Sequence, residues 1–230
     1  MRQVMNFGDL RNQGFCVHCG GPYETDDHMP SKVFLDRPYP ENLPVSPACA
    51  KCNEGFSRDE EYLACLLECV IAGEVNPDLI GRENISRKLR RQPALAARLA
   101  AARRLDGETV VWEAEVERVR NVILKLARGH AAFELNEPQL DNPLSMRFLP
   151  LSAMSLSERQ SFEQEQASPA IWPEVGSRAM NRLFAVDSEA FEEGWLLVQE
   201  GRYRYRVLQD DGLRVKIVIR EYLAAEVRWG

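Results

Sequence analysis

No stretch of this 230-residue sequence approaches the roughly 18 consecutive apolar residues that are needed to span a membrane. Residues 1–14 also lack the apolar core of a secretory signal peptide. We therefore expect a cytoplasmic protein without a membrane partner, in a compartment that keeps thiols reduced. Internal repeats and low-complexity tracts are absent too, and 45% hydrophobic with 28% charged residues is the balance of an ordinary globular chain.

An overall excess of basic charge is missing as well, since the formal net charge is −6 at pH 7. This balance argues against a protein that coats nucleic acid along its whole surface. Basic residues are nevertheless concentrated in residues 82–104, here called the basic segment, with eight Lys or Arg and only one acidic residue, Glu83. One interpretation is an arm that contacts the DNA backbone, and the alternative is a solvated helix face. The candidate contacts are Arg87, Lys88, Arg90 and Arg91.

Four of the six cysteines form two CxxC pairs, Cys16 with Cys19 and Cys49 with Cys52. In a reducing compartment such pairs indicate metal ligands before disulfides, and four thiolates are the usual closed shell of structural zinc. The 29 residues between the pairs exceed the roughly 15–20 of a compact zinc ribbon, so the intervening segment must loop out. The remaining two lie four apart among apolar residues and are predicted to be buried free thiols, Cys65 and Cys69.

The looped-out segment carries Asp27-His28 and Pro30, then Asn42-Leu43, and Asn53 follows directly after the second cysteine pair. In this order, and together with the four cysteines, the residues resemble the HNH endonuclease family, whose site is a ββα-metal fold. The resemblance covers about residues 15–62. It implies a metal-dependent endonuclease that hydrolyses DNA phosphodiester bonds, leaves 5′-phosphate and 3′-hydroxyl ends, and uses its zinc ion structurally.

The resemblance also assigns roles to single residues. His28 would be the general base, Asp27 and Asn53 would hold a catalytic Mg²⁺ or Mn²⁺, and Asn42 would hold the hairpin and orient His28. The residue types suit these roles, because imidazole exchanges a proton near neutral pH and amide and carboxylate oxygens are hard ligands. Neighbouring residues on a strand point to opposite faces, so a bend or a strand end is expected there if Asp27 and His28 serve one site, and Pro30 is consistent with either. The family usually has His where this chain has Asn53, so the ion could bind weakly and activity could depend on Mn²⁺.

Several other polar residues have two interpretations. His18, between two zinc cysteines, is predicted to be an exposed residue or a phosphate contact rather than a ligand. His130 is expected to pack or to interact with a helix dipole rather than to act in catalysis. Asp26 is expected to be solvated, and Asp59 and Glu60 are expected to cap a helix, with assistance to the metal as the alternative for all three. A weak second basic strip is suggested by the arginines of the C-terminal region, Arg202, Arg204, Arg206 and Arg214.

The sequence pattern predicts an α+β chain in three parts: a zinc-bound ββα-metal (HNH) module in residues 1–75, central helices in 76–135, and a C-terminal region in 136–230 with a small antiparallel β-sheet. A capping box at residues 57–60 predicts a helix from Ser57 to about Gly73. Further helices are predicted near residues 77–91, 94–105, 114–133 and 155–166, and residues 136–153 as a connector. Strands are predicted at residues 195–199, 203–208, 213–219 and 222–229, with a hairpin at 209–212.

The leading hypothesis is therefore an enzyme that acts on DNA, with RNA not excluded as a substrate. The alternative is a non-catalytic zinc module that binds nucleic acid or protein. The region from residue 76 onward could in addition form a regulatory domain that binds a partner protein. A single site of this type cuts one strand, so double-strand cleavage would need a homodimer or two successive nicks. By context alone, the resemblance suggests a role in phage defence or restriction.

Overall fold

A computed structural model describes residues 4–107, 109–164, 172–184, 191–192 and 194–230. The chain forms two compact units, a larger one of Met1–Gly55 with Ile123–Gly230 and a smaller one of Phe56–Val122. Two helices, α1 (Ala50–Ala72) and α4 (Val116–Leu135), pass from one unit into the other. The predicted α+β composition is confirmed, while the predicted division into three parts remains a prediction.

The N-terminal part of the larger unit contains a two-stranded antiparallel sheet, β1 (Thr25–His28) with β2 (Val45–Ala48). Thr25 pairs with Ala48 and His28 with Val45, so the two strands are matched over their full length. Helix α1 begins two residues after β2 ends. The order is therefore strand, strand, helix, and both strands lie within the segment between the two cysteine pairs that the spacing predicted to loop out.

The C-terminal part of the larger unit is a six-stranded sheet whose strands are all antiparallel to their neighbours. Its order across the sheet is β5-β10-β9-β8-β7-β6. The strands are β5 (Ser145–Pro150), β6 (Phe191–Glu192), β7 (Trp195–Gln199), β8 (Tyr203–Asp210), β9 (Gly212–Ile219) and β10 (Leu223–Trp229). Each of the four predicted strands and the predicted hairpin at residues 209–212 is confirmed. Two short helices accompany the sheet, α5 (Leu156–Gln164) and α6 (Arg178–Phe184).

Helix α4 is tied to this sheet by a buried polar network. His130 Nε2 lies 2.7 Å from the hydroxyl of Tyr203, and the His130 ring stacks on Tyr205 with ring centroids 3.7 Å apart. The hydroxyl of Tyr205 donates to the Glu134 carboxylate at 2.5 Å, and Arg182 of α6 pairs with the same carboxylate. Because a buried carboxylate is stable only when it is paired and hydrogen-bonded, these contacts fix the register of α4 on the sheet. His130 is thus a packing residue, as predicted.

The smaller unit is mainly helical. It contains the later part of α1, then α2 (Glu83–Arg91), α3 (Pro93–Ala102), a hairpin of β3 (Arg103–Asp106) and β4 (Thr109–Trp112), and the start of α4. Its buried apolar side chains include Leu63, Leu66, Ile85, Leu89 and Leu99. Both thiols predicted to be buried, Cys65 and Cys69, are fully buried here, and burial raises the pKa of each to about 12. A thiol with such a pKa stays protonated near neutral pH and is a poor metal ligand.

Three predictions about local structure are wrong. Helix α1 begins at Ala50 rather than at Ser57, so Asp59 and Glu60 lie inside the helix and do not cap it. The chain after α3 turns into the β3–β4 hairpin at Arg103, within the predicted helix 94–105. The connector 136–153 contains strand β5, which lies at the edge of the sheet, where prolines are tolerated. Among the described residues, no helix is both long enough and apolar enough to cross a membrane.

Candidate metal centre and the strand that carries Asp27 and His28

The four cysteines of the CxxC pairs converge on one point. Their Sγ atoms all lie within 4.8 Å of one another, and the Sγ atoms of Cys19 and Cys49 are 3.7 Å apart. Cys16 and Cys49 are buried, Cys52 is partly exposed and Cys19 is exposed. Four sulfurs at this spacing could hold a zinc ion in a tetrahedral shell, as the sequence predicted. No second group of three or more His, Cys, Asp or Glu ligands exists in the part of the chain that the structure describes.

Tight turns present the sulfurs. In the first turn the amide of Gly20 donates to the carbonyl of Cys16 at 2.8 Å, and Gly20 has a φ of +75°, a conformation that favours glycine. The amide of Gly21 donates to Sγ of Cys19 and lowers the pKa of that thiol. In the second turn the amide of Cys52 points at Sγ of Cys49 at 3.4 Å. Backbone N–H groups aimed at sulfur favour the thiolate, which is the form that binds a metal.

Helix α1 is joined to the two-stranded sheet by side chains as well as by the cysteines. The Ala50 amide at the start of the helix donates to the Glu24 carboxylate at 2.8 Å. One helical turn later, the Asn53 side-chain amide contacts Oγ1 of Thr25 in β1 at 3.4 Å. Asn53 therefore lies beside the strand that carries Asp27 and His28. Asn42 is exposed in the turn that precedes β2.

Asp27 lies in a buried ionic cluster. Its side chain is 3% exposed; Oδ1 is 2.8 Å from Nζ of Lys125, and Oδ2 is 3.1 Å from Nε2 of His18. Lys125 is itself 1% exposed and also donates to the hydroxyl of Ser31 at 2.8 Å. Burial alone would raise the pKa of Asp27, but His18 and Lys125 outweigh it and the pKa is lowered. Asp27 is thus an anion near neutral pH, held from two sides.

His28 follows Asp27 on β1 but is half-buried rather than enclosed. Its Nδ1 is shielded from solvent and has no hydrogen-bond partner among the described residues. Burial and the nearby charge of Lys32 lower the pKa of His28 below its usual value. The imidazole is therefore neutral near pH 7, the protonation state in which a histidine can accept a proton.

Two members of the Asp27 cluster were not predicted in that place. His18, expected to be exposed, is buried, because its ring turns from the first cysteine turn towards Asp27. Lys125 was not predicted as a site residue at all. Its only signal in the sequence is its position as a single charge inside the apolar run 122–127 of α4. A lysine in such a place is costly to bury unless an anion faces it.

The basic segment is largely paired within the smaller unit. Arg87 pairs with Glu83 at 2.5 Å, Arg90 with Asp78 at 2.5 Å, and Lys88 with Glu61. The same holds at both ends of the segment, where the ion pairs are Arg82–Glu68, Arg103–Glu74 and Arg104–Glu113. Apart from the buried Arg82–Glu68 pair, these contacts favour the interpretation of a solvated helix face with its own counter-ions over that of an unpaired cationic arm.

The arginines of the C-terminal sheet are also occupied. Arg204 contacts the carboxylates of Glu163 and Glu221 and lies over the ring of Trp195, with the guanidinium carbon 4.4 Å from the ring centroid. Arg202 pairs with Asp36, and Arg214 with Asp210. The predicted second basic strip is therefore a set of mixed-charge clusters.

In comparisons with known proteins, no family model, no curated protein and no solved structure matches this chain. The interpretation of the site thus depends on its residues and their geometry.

Proposed function

We propose that this protein is a metal-dependent nuclease of the HNH type that hydrolyses DNA phosphodiester bonds, with His28 as the general base. One observation carries the proposal: a matched β1–β2 pair leads directly into α1. Strand β1, which carries Asp27 and His28, therefore lies beside Asn53 of α1, and Asn53 directly follows the last cysteine of the four-cysteine cluster. A purely structural zinc module needs the cysteines alone. The presence of Asp27, His28 and Asn53 on β1 and α1, in addition to the cysteines, favours an enzyme.

The donor set is of the type that a hard divalent cation prefers. Asp27 would offer a carboxylate oxygen and Asn53 an amide oxygen to Mg²⁺ or Mn²⁺. Lys125 and His18 each occupy one acceptor site on Asp27, and a carboxylate has about four, so acceptor capacity remains. When bound, the ion would supply charge stabilisation at the phosphate and at the leaving oxygen.

His28 would supply the proton transfer. Its Nδ1 is shielded, which leaves Nε2 as the nitrogen that can meet a water molecule. The lowered pKa keeps the ring neutral near pH 7, so it can take a proton as the water attacks phosphorus. Asn42, exposed in the turn before β2, would support the hairpin and stay away from the reacting atoms.

A second candidate function, a non-catalytic zinc module, is favoured by a specific observation. The Asp27 carboxylate is 3% exposed and already has a cationic partner in Lys125. A carboxylate in that state could simply tie α4 to β1. The two functions differ in what His28→Ala does, because a structural module has no use for a proton acceptor on β1.

The deciding experiment is a plasmid-nicking assay with purified, zinc-loaded protein in EDTA, Mg²⁺ and Mn²⁺. The variants are His28→Ala and, as a control on the same strand, Asp26→Asn, whose exposed carboxylate accepts a hydrogen bond from the Tyr23 hydroxyl. Nicking by wild type and Asp26→Asn, lost in EDTA and in His28→Ala, would establish the nuclease. Equal nicking by all three proteins would point to a contaminant, and no nicking by any of them would favour the binding module.

A further inference from the structure

The cation that faces Asp27 comes from outside the segment that resembles a nuclease. Lys125 lies on α4, about a hundred residues along the chain from β1, and its ammonium group is 2.8 Å from Asp27 Oδ1 and 2.8 Å from Ser31 Oγ. At 1% and 3% exposure, neither charge is screened effectively by solvent. Removing one partner of such a pair leaves an uncompensated buried charge.

Within this pair the two formal charges cancel before any ligand binds. Asp27 contributes one negative charge and Lys125 one positive charge, and the side chain of Asn53 has none. A divalent cation that binds in the absence of substrate is therefore attracted by Asp27 and repelled by Lys125, so its net attraction to the site is reduced.

Resting on the function proposed above, we propose that Lys125 is a positioning residue that makes the divalent ion and a DNA phosphate bind together. The ammonium group holds Asp27 in one orientation and weakens the binding of the ion in the absence of substrate. A phosphodiester brings the negative charge that both the ion and Lys125 attract. Each ligand then raises the affinity for the other by the same factor, because such coupling is reciprocal.

The test measures Mn²⁺ binding directly, from the loss of the free-ion electron paramagnetic resonance signal. In zinc-loaded protein, Lys125→Met should bind Mn²⁺ at least ~10-fold more tightly than wild type, since the competing cation is gone. Asp27→Asn should bind Mn²⁺ at least ~10-fold more weakly than wild type, because it lacks the anionic ligand. Lys216→Met is the matched control, because Lys216 is equally buried but pairs with Glu226 in the C-terminal sheet, and its Mn²⁺ affinity should equal that of wild type.

A second measurement does not depend on the folding of the lysine variants. In His28→Ala, which should not cleave, a short DNA duplex should tighten Mn²⁺ binding at least ~10-fold. Unchanged or weaker Mn²⁺ binding in folded Lys125→Met, or no effect of the duplex, would overturn the inference. Mn²⁺ binding that depends on Asp27, Lys125 and the duplex as described, but without nicking by wild type, would keep the coupling and refute only the proposed hydrolysis.

Discussion

Among the glycines that the structure describes, Gly129 on α4 has the least room for an added methyl group. A Cβ atom added there would lie 1.3 Å from Sδ of Met29 and 2.8 Å from its Cγ and Cε. Met29 is fully buried directly after His28, and its sulfur is 3.4 Å from the hydroxyl of Ser46 on β2. The side chain of Met29 therefore has no solvent to move into. We predict that Gly129→Ala destabilises the protein and displaces Met29.

The size of this effect follows from two opposing terms. Replacing Gly by Ala inside a helix gains about 0.5–1 kcal/mol, because the unfolded chain loses freedom. Inserting a methyl group into a filled core costs about 1–3 kcal/mol or more. The overlap at 1.3 Å is severe, so the cost should dominate and Gly129→Ala should lose about 1–3 kcal/mol. Gly55 in α1 is exposed, and a methyl group added there would meet no side chain within 4 Å, so Gly55→Ala should gain about 0.5–1 kcal/mol.

Urea denaturation of zinc-loaded protein at pH 7 measures both variants, read as a change of midpoint at constant m-value. A double variant supplies the control for mechanism. Met29→Ala alone should cost about 2–5 kcal/mol, and adding Gly129→Ala to it should cost little, because the new methyl group then has room. If Gly129→Ala is as stable as wild type, or gains as Gly55→Ala does, the packing argument for Met29 is wrong.

Two further predictions concern the metal centre and the buried histidine. Cys52→Ser should lose the zinc ion, measured by a colorimetric zinc assay, and should unfold strands β1 and β2 and the start of α1. Cys65→Ala, outside the cluster, should keep one zinc ion per chain. Burial lowers the pKa of His130 to about 3. Between pH 6.5 and 4.5 this histidine therefore binds a proton in the unfolded chain but not in the folded chain. Stability should therefore fall as the pH falls, by up to ~1.4 kcal/mol per pH unit from this residue, and His130→Gln should show a smaller slope in urea titrations across that range.

The C-terminal sheet could be predicted because its signals are local. Strands β7 to β10 alternate or are rich in β-branched and aromatic residues, and Asp211, just before Gly212, connects β8 to β9. The start of α1 could not be predicted in this way. Its first amide is capped by Glu24, which is 26 residues earlier in the chain, whereas Ser57 offered a local capping pattern that the structure does not use. Strand β5 was missed for the same reason, since only its pairing with β10 makes it a strand.

In the candidate site, too, only the features with local signals in the sequence could be predicted. The convergence of the four cysteines could be predicted, because CxxC spacing fixes the distance between sulfurs in each pair. The partners of Asp27 could not, since His18 reaches it by turning away from the cysteine centre and Lys125 reaches it from α4. Contacts between residues far apart in sequence depend on the tertiary fold. A lone lysine in an apolar helix indicates that a buried anion faces it, but it does not indicate which one.

The charges of the basic segment bear on how strongly the smaller unit could attract DNA. Arg87, Lys88 and Arg90 each have a carboxylate partner, and among the residues that the structure describes Arg91 has no ion pair. Exposed pairs of this kind contribute only about 0–1 kcal/mol, so a phosphate could replace a carboxylate at small cost. The displaced carboxylate would remain nearby and repel the phosphate, which removes most of the long-range attraction that unpaired cations would give. Substrate affinity in the proposed nuclease would therefore depend mainly on contacts near β1, where the ion, the phosphate and Lys125 would meet.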